Sequence, residues 1–146
     1  MSNVQNILKT IKEKEIQFVD LRFTDPRGKM QHVSQHVSTI DEDSLLEGFM
    51  FDGSSIAGWK AINESDMLMK PDFGRTFIDP FYAQPTLAIF CDILDPITGK
   101  PYDRDPRSTA KGALDYMKSV GIGDTAYFGP EPEFFIFDDV KMEVSS

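Results

Sequence analysis

The sequence predicts an α+β fold, and three observations carry that reading. Apolar residues recur at helical spacing at the start of the chain and again after residue 105. Between those stretches lie several short runs rich in β-branched and aromatic residues, separated by Pro and Gly. One of them, Thr86 to Ile93, is almost continuously apolar, as a central strand is. A length of 146 residues suits one domain, or a small domain joined to part of another.

Taken in order, Val4, Ile7, Leu8 and Ile11 mark a short amphipathic helix ending near Lys14, with Ser2 or Asn3 as its cap. Ile16 to Phe23 reads as a strand. Asp25-Pro26-Arg27-Gly28 is a turn, and Lys29 to Val37 completes a β-hairpin. His32 and His36 are four residues apart, a spacing that gathers ligands on a helix. On a strand it separates them by about 13 Å, so they read as partly exposed strand histidines. Asp41 to Glu47 forms a short helix with an acidic first turn, stopped at Gly48. Phe49 to Trp59 reads as a loop of small residues pinned by Phe, Ile and Trp. It is no P-loop, because no Gly-Lys-Ser/Thr follows. Asp52 either serves a site from this loop or bonds its own backbone in a tight turn.

Met67 to Lys70, Thr76 to Ile78 and Thr86 to Ile93 are expected as separate strands, divided by Pro71, Pro80 and Pro85. Asp95 to Pro101 is a turn, and Tyr102 to Arg107 a polar linker at a domain boundary. Asp105 and Pro106 then open a helix with Ala110, Ala113, Leu114 and Met117 on its buried face and Gly121 as its stop. No internal repeat or low-complexity segment is present.

That helix leads to Gly129 to Asp138, which reads as a strand. Its period-two alternation places Glu131, Glu133, Phe135 and Phe137 on one face. The two acids lie about 6–7 Å apart at the backbone. Pro130 and Pro132 suit the frayed end of a sheet. The acids could serve as two metal ligands on a rigid support, or simply be solvated. A glycosidase pair is a further reading, but acids so close on one strand are poorly placed to attack from opposite faces.

Composition narrows the function classes. The net charge is −9 and the pI about 4.6. Nucleic-acid binding needs a basic face, and no Lys/Arg cluster offers one. The twelve Phe can fill a core. Cys91, alone and set in an apolar run, reads as a core residue and not a nucleophile. No signal peptide or membrane-length apolar run is visible, so a cytoplasmic setting is expected.

Several of these stretches together resemble the glutamine synthetases of the bacterial class I type. Phe51-Asp52-Gly53-Ser54-Ser55-Ile56, then Trp59-Lys60 and Asn63-Glu64-Ser65-Asp66-Met67, is similar to the family's N-terminal signature. Cys91-Asp92-Ile93-Leu94 and Tyr102 to Ser108 are similar to its domain junction. Phe128 to Phe135 is similar to its first metal-ligand strand. Three spaced motifs in one order are specific where each alone is weak.

The resemblance implies a β-grasp-like N-terminal domain over residues 1–103. Residues 104–146 would be the opening helix and strand of an incomplete α/β catalytic domain. The chain would then be the N-terminal third of such an enzyme and inactive alone. The implied reaction is ATP-dependent ligation of ammonia to glutamate through γ-glutamyl phosphate, with two divalent cations, Mg²⁺ or Mn²⁺. Glu131 would ligate the cation nearer the ATP phosphates and Glu133 the one nearer glutamate. Hard carboxylate oxygens suit such ions. Asp52 would bind ammonium and help remove its proton in the neighbouring subunit's site, with Ser55 nearby, while Trp59 packs the loop. The implied assembly is a dodecamer of two hexameric rings. The alternative is a non-catalytic β-grasp-like module that mediates subunit contacts.

Overall fold

The run expected to be central is central. In the computed structural model, which describes residues 3–60 and 65–144, Thr86–Leu94 forms strand β5. It pairs in parallel with β1 (Phe18–Thr24) and antiparallel with β4 (Asp66–Ile78). Strands β2 (Met30–His36) and β3 (Phe49–Asp52) form the two edges, giving the order β2-β1-β5-β4-β3. Parallel strands need a long crossover, and everything between β1 and β5 supplies it.

Alternation along the strands builds the core on one face. Val19, Leu21 and Phe23 of β1 meet Leu87, Ile89, Cys91 and Ile93 of β5 and Met67 and Met69 of β4. Helix α1 (Asn3–Glu13) lays Val4 and Ile7 on this face, and α2 (Glu42–Glu47) adds Leu45. Each fully buried side chain of this kind stabilises the fold by about 1.5–3 kcal/mol. The start of α2 follows from its sequence: Asp41 accepts from Ser44 N at 2.8 Å, and Ser44 Oγ accepts from Asp41 N at 2.9 Å. Gly48 is needed at its stop, because φ there is 99° and a Cβ would sit 2.7 Å from Met69 O.

The other face of the sheet is polar where β1 meets β2. Register places Asp20 opposite Ser34 and Arg22 opposite His32. Asp20, fully buried, accepts from Arg22 Nε and Ser34 Oγ and pairs with His32 Nδ1, all at 2.7 Å. Arg22 also reaches Asp79 at 2.6 Å and lies over the Phe77 ring. His36 pairs instead with Ser38 at 2.8 Å. The two histidines are thus strand residues with separate partners.

The sheet curls. Phe23 of β1 and Phe51 of β3 are separated by two strands in the sheet order, yet their ring centroids are 5.0 Å apart. Sheet twist allows such curvature, and the result is a half-barrel of the β-grasp kind with α1 and α2 against its core.

Several expectations are corrected. The 49–59 stretch is not wholly a loop, since Phe49–Asp52 pairs with β4. The two strands expected on either side of Pro71 are one strand, β4, with a register shift between Pro71 and Thr76. Pro71 is tolerated because β3 pairs only as far as Met69, so the missing donor breaks no ladder on that side. Residues 102–107 are not a loose linker: Tyr102 and Asp105 are buried. Helix α3 (Pro106–Ser119) has Asp105 as its cap and Gly121 at φ 72° just beyond it, as expected. Its expected apolar face is not buried, however; Ala110, Ala113 and Leu114 are exposed and Met117 half-buried.

The strand expected over Gly129 to Asp138 is absent: residues 125–137 and 139–144 carry no regular structure. A strand exists only by pairing, and the five strands of the sheet pair with one another. Ser2, Asn63, Glu64 and the last two residues lie outside the described residues.

Candidate functional site

The Asp52 loop is the best-formed candidate. Strand β3 carries Asp52 to the rim of the half-barrel, and a 3₁₀ turn (Gly53–Ser55) follows. Asp52 caps that turn, accepting from Ser54 N at 2.8 Å and Ser54 Oγ at 2.6 Å. The tight-turn reading of Asp52 is therefore real geometry, and it leaves the carboxylate in the open. The Ser54 hydroxyl first, and its amide second, hold the Asp52 pKa below the usual carboxylate value despite some desolvation. Asp52 is thus an ionised group at neutral pH.

Gly53 makes the turn possible. A Cβ there would stand 2.5 Å from Met67 Cγ and 3.0 Å from Ser65 O, with Met67 fully buried. The Gly53 amide donates to Ser65 O at 2.7 Å, tying the turn to the start of β4.

Asp52 and Ser55 line a cleft of about 280 Å³ with Phe23, Phe51, Ile56 and the edge residues of β2 from Gln31 to Val33. Curvature makes this cleft, because it brings opposite edges of the sheet to one place. Trp59 packs behind it, as expected of a loop anchor: its ring stacks on Phe23 at 5.4 Å and meets Phe51 at 6.1 Å and Tyr102 at 5.4 Å. Its buried Nε1 has no hydrogen-bond partner among the described residues. An anionic carboxylate and a hydroxyl at an aromatic-walled cleft suit a small cation that can donate hydrogen bonds.

Glu131 and Glu133 are exposed, and neither lines the Asp52 cleft. Among the described residues no group of three or more His, Cys, Asp or Glu assembles as a cation site. The donor chemistry of the two glutamates fits Mg²⁺ or Mn²⁺, and their exposure leaves the oxygens open to a ligand, but two carboxylates do not by themselves close a site. The structure brings Asp52 and Ser55 together and does not bring the glutamates to them.

Three features escaped the sequence. Ser54 holds Asp52; the Asp-x-Ser spacing of an Asx turn was its signal. Gln31 joins the cleft because its strand lies at the edge that curls in. The third is the Tyr102–Arg107 stretch. Arg107 Nε donates to Asp92 at 2.7 Å and its Nη2 to Asp72, while Lys111 also reaches Asp92.

Fold and site together define an α+β half-barrel of the β-grasp class with an anionic loop at its rim. A family model described as "Glutamine synthetase, beta-Grasp domain" matches residues 15–96, and another described as "Glutamine synthetase, catalytic domain" matches residues 103–146. The chain belongs to the glutamine synthetase family. A glutamine synthetase from Azospirillum brasilense is 62% identical over 144 residues, covering 99% of this chain and 31% of that protein. A 3-hydroxylaminophenol mutase from Cupriavidus pinatubonensis is 58% identical over 142 residues, covering 97% and 30%. The cryo-EM structure of Plasmodium falciparum glutamine synthetase superposes with a TM-score of 0.73 at 27% identity, over 83% of this chain and 23% of that one. The chain thus spans about three tenths of the length of these curated relatives. Among the described residues no helix is long and apolar enough to cross a membrane.

Proposed function

We propose that this chain supplies the ammonium-binding loop and two metal-ligating carboxylates of a glutamine synthetase, which joins ammonia to glutamate at the expense of ATP. The observation that carries the reading is Asp52, ionised and fixed by Ser54 beside Ser55 at an open cleft.

Ammonium must be gathered as a cation and must lose a proton before its nitrogen can attack an acyl phosphate. The Asp52 carboxylate provides the charge that attracts it and an oxygen that accepts the proton. The Ser55 hydroxyl offers a second acceptor for an N–H. The low pKa of Asp52 favours capture over proton removal, so transfer of the proton from ammonium to the carboxylate is an uphill step before attack, drawn forward as the ammonia it frees is consumed by the acyl phosphate. Glu131 and Glu133 would each hold one of two divalent cations, which when bound neutralise charge on the transferring phosphoryl group. Residues 1–103 form the β-grasp-like domain in this reading and residues 104–146 open the catalytic domain. ATP, glutamate and ammonium are the substrates. The cleft faces a neighbouring subunit in a cytoplasmic homo-oligomer of two hexameric rings.

The test is made in the complete polypeptide that carries this segment. Asp52→Asn is expected to raise the KM for ammonium and lower kcat by about 10²–10⁴-fold, the usual worth of a proton acceptor, with ATP binding retained. Unchanged ammonium dependence overturns the reading. The same preparation is assayed for rearrangement of 3-hydroxylaminophenol, which separates synthesis from the activity in the name of the Cupriavidus relative.

A second reading is a non-catalytic module, favoured by the contrast between the well-packed half-barrel and the solvent-exposed glutamates. It predicts that Glu133→Ala leaves both synthesis and Mn²⁺ affinity unchanged. The proposed function predicts that both are lost while the subunit stays folded.

A further inference from the structure

We propose that Arg104 is a positioning residue for the Asp52 loop, an inference that rests on the ammonium-binding reading of that loop. Ile56 N donates to Gly53 O to close the 3₁₀ turn, and one more reverse step follows, Trp59 N donating to Ile56 O, both at 3.1 Å. These bonds set where Ser55 and Ile56 face the cleft. At the exit of the loop Gly58 has φ 86° and open space on its Cα. There the Arg104 guanidinium closes the loop: its Nη1 donates to Gly58 O at 2.8 Å and to Trp59 O at 3.2 Å.

Arg104 can do this because its own backbone is fixed from the other side. The next residue, Asp105, is buried, accepts from Ile93 N at 3.4 Å and caps α3 through Arg107 N and Ser108 N. Arg107 bridges Asp92 of β5 and Asp72 of β4. Tyr102, two residues before Arg104, donates its amide to Ile93 O at 2.9 Å and packs its ring on Trp59. One short stretch is therefore bolted to the centre of the sheet, and from it a single cation reaches the loop that carries Asp52. A donor to two carbonyls constrains orientation as well as position, so Arg104 acts on the cleft through Gly58 and Trp59 without touching the ligand.

Two readouts test this. In the 146-residue chain, amide hydrogen exchange of Ile56 and Trp59 should quicken in Arg104→Ala, be restored in Arg104→Lys, and leave Leu21 and Ile89 unmoved. In the complete polypeptide, Arg104→Ala should raise the KM for ammonium while kcat and the KM for glutamate change little. If the loop keeps its geometry one-fifth of the time, the rise is about fivefold. Unaltered exchange at Ile56 and Trp59 overturns the contact. A loosened loop with an unchanged ammonium KM overturns the positioning role. Failure of the functional reading is distinguishable, because it appears in Asp52→Asn as unchanged ammonium dependence whatever Arg104→Ala does.

Discussion

Asp20 is a fully buried carboxylate held by three side chains. Burial alone would raise its pKa, and the bonds from Ser34, His32 and Arg22 outweigh that and bring it below the usual carboxylate value. A depressed folded-state pKa stabilises the fold above the unfolded carboxylate value, about 3.9, and that contribution is lost as pH falls through the lowered folded value. Acid unfolding of the wild type should therefore set in below pH 4, and Asp20→Ala should flatten this dependence. At neutral pH that variant should lose about 3–5 kcal/mol, as expected when a buried ion pair loses one partner, measured by urea unfolding. Cys91 makes a complementary case. Burial first, and the Asp92 charge second, push its thiol up to about 12, so a disulfide reagent should label it only at the rate of global unfolding. Labelling faster than unfolding would show an open path to the core. Cys91 was legible in the sequence because its neighbours are apolar. Asp20 was not, because its burial depends on the register that sets it opposite Ser34.

At the scale of elements, features set by a few adjacent residues are legible in the sequence and those set by pairing with distant strands are not. The cap Asp105 and the stops at Gly48 and Gly121 lie where the sequence placed them, and Asp41, expected as the first residue of its helix, stands one step outside it as the cap, because a cap is written within four residues of the chain. Strand β3 was missed because its Gly-Ser-Ser continuation resembles a loop, and only pairing with β4 makes it a strand. The turn after β3 offers a sharp test of how tightly that element is held. Gly53→Ala would drive a methyl into Met67 Cγ and towards Ser65 O. Since Met67 is fully buried, the clash cannot be relieved by a swing into solvent. The expected cost is about 1–3 kcal/mol, with a displaced Ser54 amide resonance as β3 shifts away from β4. An unchanged melting temperature would mean that the turn has room the packing denies it.

At the scale of the molecule the chain divides by how its apolar residues are spent. Up to Tyr102 the sheet and its helices enclose a core, with Phe81 and Ile97 left in solvent; beyond Gly121 the large apolar side chains among the described residues are exposed, Phe134, Phe135, Ile136 and Phe137 each between 67% and 87%. The alternation in this segment, a local signal, predicted a strand that the structure does not form, because what it should pair with is not encoded within it. An apolar run of this size without a partner favours association with other apolar surface. The 146-residue chain should therefore bind a hydrophobic dye and self-associate with rising concentration, and replacing Phe134, Phe135 and Phe137 together by Ser should abolish both while leaving the unfolding transition of the half-barrel in place. The same division bears on catalysis. Asp52 and Ser55 share a cleft that neither Glu131 nor Glu133 lines, so the groups that would take the proton and hold the cations are not gathered at one centre. Incubated with glutamate, ATP, ammonia and Mg²⁺ or Mn²⁺, this chain should form no glutamine above a protein-free blank. Turnover above that blank would require the segment to fold back onto the Asp52 cleft of its own or a second chain, and cross-linking between Glu131 and the cleft rim would then reveal it.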